Sequence, residues 1–139
     1  MPNRTALVDN GGALVAPNSF VILSSAARTA TTTSSDFTNT AYRGLRVTFN
    51  ISTLANTAPS LVLDIQAKAQ TANTYTTMLS SAAVVGTATN AYTIYPGIGA
   101  GAGANTNASH GFPQVFRVMV NANTATAAIT YSIEGDWLL

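Results

Sequence analysis

Cysteine is absent, histidine occurs once, and charged side chains make up only 8% of the 139 residues. The first absence excludes disulfide scaffolds, thiol nucleophiles, redox pairs and cysteine-held zinc together. The second leaves a single imidazole for acid–base chemistry. The third says most about function. An average soluble domain is about a quarter charged, and a surface this short of ions is poorly protected against sticking to other protein. It suits a chain whose exposed faces end up against neighbours.

Charge of either sign is also scattered. Arg4, Arg28, Arg43, Arg46, Lys68 and Arg117 are nearly balanced by Asp9, Asp36, Asp64, Glu134 and Asp136, for a net charge of +1. A nucleic-acid backbone demands several converging cations, so no nucleic-acid partner is expected. The most apolar run, Phe20–Leu23, falls far short of the roughly twenty residues that span a bilayer, so no membrane partner is expected either. The start, Met-Pro-Asn-Arg-Thr, lacks the charged and apolar regions of an export signal, which points to folding in the cytoplasm.

Good helix formers are scarce: Glu and Lys occur once each, and Gly or Pro interrupts most long stretches. Strand signals are frequent. In Tyr42–Ser52, Leu45, Val47, Phe49 and Ile51 fall on one face and Arg46, Thr48 and Asn50 on the other, as a half-buried strand requires. Ser60–Ala69 repeats the pattern with Leu61, Leu63, Ile65 and Ala67 inward. Tyr75–Ser80, Ala83–Val85, Ala91–Tyr95, Val115–Asn121 and Thr126–Glu134 are further strands, with turns at 54–59, 70–73 and 122–125. Gly135 reads as a bulge or strand end.

These short strands, seven or eight in all with hairpin-length connections, predict an all-β antiparallel β-sandwich, with the jelly roll as one arrangement of it. A chain of this length fits one domain, burying roughly two-thirds of the surface its unfolded form exposes. Residues 1–19, with short apolar pairs and a Gly11-Gly12 hinge, read as an extended N-terminal arm, and residues 20–139 as the sandwich domain. Within it, residues 96–113 form a Gly-rich loop, long enough to be expected as a flexible excursion ordered only where a partner covers it.

No catalytic set emerges. His110 lies in the Gly-rich loop with nothing to orient it between a nucleophile and an acid. Glu134 and Asp136 are the only acids close in sequence. They would share a strand face if the strand continued, but Gly135 speaks for a solvated strand end. The Gly97–Gly103 run is followed by no helix, which removes the phosphate-cradle reading. Tyr75, Tyr92, Tyr95 and Trp137 would suit a sugar-binding platform, although aromatics at strand positions more often build core or rim. The expectation is no enzyme, no cofactor and no metal.

The series YRGLRVTFNISTLANTAPSLVLDIQAK, YTTMLSSAAVVGTATNAYTIYPG and FRVMVNANTATAAITYSIEGDWL, within residues 42–137, resembles small virion structural proteins of tailed bacteriophages. The likeness is one of strand pattern and phrasing, with no catalytic motif. Size, sandwich and arm look like capsid decoration (cement) proteins. The resemblance implies a virion component, made in the host cytoplasm, that binds the major capsid protein on the outer shell as a homo-oligomer, a trimer above all. On that reading Arg4, Leu7, Val8, Leu14 and Val15 of the arm contact the shell. The Gly-rich loop, with Ile98, Asn105, His110 and Phe112, contacts other copies, as do strand faces carrying Thr and Asn. A tail, neck or fibre-attachment component is the alternative in the same setting, and a carbohydrate-binding module the alternative from another class.

Overall fold

The computed structural model describes residues 18–53, 60–122 and 128–139. Ten strands follow one another: β1 (Ser19–Arg28), β2 (Thr32–Thr33), β3 (Phe37–Thr38), β4 (Gly44–Thr53), β5 (Leu61–Ala69), β6 (Thr74–Ser80), β7 (Ala88–Ile94), β8 (Asn107–Ala108), β9 (Val115–Ala122) and β10 (Ile129–Leu138). One sheet has the order β1-β10-β4-β7-β8. The other runs β2-β9-β5-β6, with β3 also pairing β9 beyond β2.

The main pairings are nested: β1 with β10, β2 and β3 with β9, β4 with β7, β5 with β6, all antiparallel. A long hairpin rolled over on itself produces this order, and it is that of a jelly roll. The alternation read from sequence supplies the core. Leu45, Val47, Phe49 and Ile51 of β4 lie beside Tyr131 and Ile133 of β10, and across from Leu61, Leu63 and Ile65 of β5 and Phe116, Val118 and Val120 of β9. All are almost wholly buried. Each such side chain contributes about 1.5–3 kcal/mol of burial free energy. One end of the sandwich is sealed by rings: Trp137 is flanked by Phe20 from the β1 side (centroids 5.0 Å) and Tyr42 from the β4 side (5.2 Å), with Phe112 and Phe116 edge-on to it.

Four sequence expectations need correction. Ala83–Val85 is no strand; Val84 makes one isolated bridge to Leu61. The sequence reading places no strand over 20–28, where the ten-residue β1 forms an edge of its sheet, because Phe20 and Ile22 find inward places against β10 and the core. Gly135 does not end its strand. β10 continues to Leu138, and Gly135 sits inside because the Phe20 ring fills the space over it.

The Gly-rich loop, fourthly, is no free excursion. It returns along β7, where β8 pairs parallel with Thr93 and Ile94. Thr93 N donates to Thr106 O (2.8 Å) and Tyr95 N to Ala108 O (3.1 Å). Gly97 N donates to Ser109 Oγ (2.8 Å), and Asn107 Nδ2 to Gly99 O (2.9 Å). The unpaired edge of β7 would otherwise expose its backbone groups, and the loop satisfies them. Other edges are blunted too. β1 carries two register shifts, and the strand beside β9 is broken between β2 and β3, where Ser34 N bonds Val118 O and Ser34 Oγ accepts from Val118 N.

Candidate functional site

The outer face of the β1-β10-β4-β7 sheet follows from register. Asn50 of β4 lies opposite Ser132 on one side and Thr89 on the other, and Thr48 lies opposite Glu134 and Ala91. Arg46 is flanked by Asp136 and Thr93, while Val21 and Ser19 of β1 complete the rows beside Glu134 and Asp136. Thr89 Oγ1 donates to Asn50 Oδ1 (2.9 Å), and Ser19 Oγ donates to Asp136 Oδ1. Charge is confined to the end holding Arg46, Glu134 and Asp136. The remainder is Thr, Ser, Asn and Ala, with the exposed Val21 beside Glu134. Such a surface makes and accepts hydrogen bonds across an interface without stripping water from an ammonium or carboxylate.

The outer face of the other sheet is different in kind. Asp36, on the connection between β2 and β3, accepts from Lys68 Nζ of β5 (2.8 Å) and from Tyr75 Oη of β6 (2.9 Å). These two bonds hold the Asp36 carboxyl below its ordinary value, Lys68 first, and Asp36 in turn raises Lys68. The guanidinium of Arg117 lies 3.4 Å from the centroid of the Tyr75 ring, and its Nε donates to Gln66 Oε1 (2.8 Å). Tyr75 thus leans across β5 and roofs Gln66, which is buried although it points away from the core. Further along, Asp64 Oδ2 accepts from Asn121 Nδ2 (2.6 Å). Among the described residues only Asp36 and Lys68 form an ion pair on this face. Arg117 meets Gln66 and the Tyr75 ring, and the buried Asp64 has only the Asn121 amide, its Oδ1 being without a hydrogen-bond partner.

Between the inner side of β7, the connection through Ala82–Gly86 and the loop at Gly103–Thr106 runs an open groove of about 310 Å³. Its walls are mostly Ala, Gly and Val, with Asn90, Thr106 and the buried Tyr92 among them and the 64%-exposed Val85 at its mouth. Burial pushes the Tyr92 hydroxyl up in pKa, the Ser81 side chain partly opposing it.

The residues expected at copy–copy contacts separate. Asn105 and His110 are exposed, Asn105 with a left-handed backbone (φ 55°). Ile98 is half-buried, its N–H donating to Tyr95 O (3.2 Å). Phe112 belongs to the aromatic seal, 5.1 Å from Phe116 and 5.8 Å from Trp137 between ring centroids. Arg4, Leu7, Val8, Leu14 and Val15 lie outside the described residues. The four rings of the sugar-platform alternative are dispersed. Tyr92 is buried, Trp137 sits between Phe20 and Tyr42, Tyr75 is covered by Arg117, and Tyr95 donates its hydroxyl to Leu139 O with Arg43 over its ring.

Because β10 runs through Gly135, Glu134 and Asp136 do share one face, contrary to the strand end expected there. Arg46 and the Ser19 hydroxyl lie beside Asp136. Among the described residues no three His, Asp or Glu side chains gather as metal ligands. Sequence reasoning missed the Asp36 network and the groove. Lys68, Tyr75 and Arg117 stood at outward strand positions, but Asp36 lies in a stretch without strand periodicity, and the groove walls are small residues that carry no pattern.

No protein-family model matches the chain, and no curated protein matches it. What it does must be argued from its own surfaces.

Proposed function

We propose that this chain is a structural protein of a tailed-phage virion, a decoration protein that binds the outer capsid shell as an oligomer and stabilises it. The observation that carries the proposal is the uncharged part of the outer face around Asn50, Thr89 and Ser132, with Thr48 at its margin beside Glu134. An extended sheet face of this composition fits coverage by other protein. Jelly rolls serve in viral capsid and lectin domains among others, so the fold is compatible with the proposal without deciding it. The scattered aromatic rings weigh against a glycan platform.

On this reading the work is binding, not turnover. Each copy buries area across boundaries between capsid subunits, and anything that binds the assembled shell and not its separated parts shifts the equilibrium toward the shell. An interface of about 800 Å² per partner, repeated over a lattice, is sufficient. Of the five arm residues expected at the shell, Arg4, Leu7 and Val8 keep that assignment, while Leu14 and Val15 are assigned instead, with the loop side and the uncharged face, to contacts within the assembly.

The test is co-sedimentation of the purified full chain with shells of the encoding phage from which it has been removed. Hundreds of copies per shell are expected, and Thr48→Lys with Asn50→Lys should abolish attachment without lowering Tm. A few copies per particle would indicate a neck or tail position instead. A monomer that never sediments with shells overturns the proposal.

A further inference from the structure

Asn18, the first of the described residues, accepts at its carbonyl from Trp137 N (3.0 Å), at the β1 side of the sheet. The groove opens beyond β7, on the opposite side. Between β1 and β7 stand β10 and β4, so three strand spacings, roughly 14 Å in all, separate the two. The groove moreover lies toward the other end of β7, lined by Ala88, Asn90 and Tyr92 rather than Ile94, whereas Asn18 adjoins the end where Leu138 pairs with Gly44.

Two aliphatic doublets precede Asn18: Leu7-Val8 and Leu14-Val15. Leu14, the farther residue of the nearer pair, is four residues from Asn18, a span of about 14 Å at full extension, which covers the three strand spacings alone and not the added displacement along β7. Leu14-Val15 therefore falls short of the groove of its own chain. The same doublet reaches a groove on a second copy set with its β7 side against β1. Largely small apolar walls, interrupted by Asn90 and Thr106, with Val85 exposed at the mouth and a volume of about 310 Å³, suit one or two aliphatic side chains. No charged residue lines the groove to demand an ionic partner.

We infer that Leu14-Val15 of each copy docks in the Val85–Tyr92 groove of its neighbour. The contact joins two different surfaces, so it propagates in one direction and closes into a ring when the rotation per step allows. It rests on the oligomer of the preceding proposal and deepens it: the proximal arm ties copies together, while the distal arm stays free for the shell. Loop residues Gly103, Ala104 and Thr106 form one wall, so the Gly-rich loop contributes to the contact as a built surface.

The absence of cysteine permits a clean test. Leu14→Cys and Val85→Cys chains, each made separately, are mixed so that subunits exchange, and are then oxidised or bridged with a short bis-maleimide. A linked pair of one chain of each kind is expected, and Leu7→Cys in place of Leu14→Cys should give none. Val85→Asp should shift the full chain from the oligomer's mass to that of a 14.3 kDa monomer that still unfolds cooperatively, at a midpoint that no longer rises with protein concentration. Linkage found only within a double-cysteine chain, or a discrete oligomer in which residues 14 and 85 never link, overturns the inference and leaves the decoration proposal standing. A wild-type chain that is monomeric with and without shells overturns both.

Discussion

The ring of Phe20 stands where a side chain at Gly135 would have to be. A Cβ built on Gly135 meets Phe20 Cζ at 2.7 Å and Ile22 Cδ1 at 3.1 Å. The Phe20 ring has little room to retreat, being stacked on Trp137 at 5.0 Å and packed at 5.4 Å against Phe37. Overfilling such a site costs about 1–3 kcal/mol. Gly135→Ala should lower the unfolding free energy by that amount in urea titrations, with the slope unchanged. The single Trp, two residues on, reports the repacking by fluorescence. Unchanged stability would mean that the Phe20 ring is not confined.

Tyr131 makes the opposite case, a group the core would be better without. Its side chain is buried, edge-on to Phe49, and its hydroxyl has no hydrogen-bond partner. The Thr32 hydroxyl pulls its pKa down as a hydrogen-bonding neighbour would, but its approach falls short of hydrogen-bond geometry, so the group counts as unpaired. An unmet buried hydroxyl costs about 1–3 kcal/mol. Tyr131→Phe should therefore raise stability, by about 1 kcal/mol after allowing for the lost interaction with Thr32. Burial raises the Tyr131 pKa above 10.0 despite Thr32 and Arg28. Its contribution is thus complete below pH 10 and lost as pH rises through the folded value. The variant should lose part of the alkaline fall in stability, and an unaltered alkaline limb would contradict this.

Asp36 gives the acid side. Its carboxyl is held below 3.8 by Lys68 and Tyr75, so its contribution is present above about pH 4 and fades as pH falls through the folded value. Lys68, raised above 10.5 by Asp36, contributes below that pH and loses its contribution above it. The pair is therefore intact between these limits. Asp36→Asn should be less stable than wild type at pH 7 and indistinguishable from it at pH 2, and added salt should shrink the difference at pH 7, because the pair is open to solvent. A difference independent of pH would assign the loss to packing of the β2–β3 connection.

What the chain disclosed about itself depended on how far each signal travels. Leu45, Val47, Phe49 and Ile51 announce β4 because one buried face imposes period two, and β5, β9 and β10 are legible for the same reason. β2 and β3, two residues each, are too short for any period, and their place is set by bonds between Ser34 and Val118. Gly135 misled because its reason is a ring 115 positions away in sequence, at Phe20. The Asp36 network joins four residues from separate elements, and only the folded register brings them together. The loop at 96–113 was illegible because backbone groups order it, and Gly-Ala sequence carries no mark of those.

That ordering is open to a direct challenge through two glycines of the loop. A Cβ on Gly101 would collide with Thr106 Oγ1 and crowd Asn107 Cγ at 3.2 Å, while one on Gly99 meets nothing within 4 Å. Thr106 and Asn107 are the residues whose backbone lies on Thr93 of β7. Gly101→Ala should therefore lift β8 from its neighbour, and Gly99→Ala should not. The Thr93 and Tyr95 amides, which donate to Thr106 O and Ala108 O, should exchange with solvent about tenfold faster or more in Gly101→Ala alone. Limited proteolysis should cut that variant first within 96–113. If both variants exchange and cleave alike, the loop does not cover β7, and the groove loses the wall formed by Gly103–Thr106. The arm–groove contact between copies would then weaken in step, so Gly101→Ala should also lower the yield of the 14–85 link while Gly99→Ala leaves it unchanged.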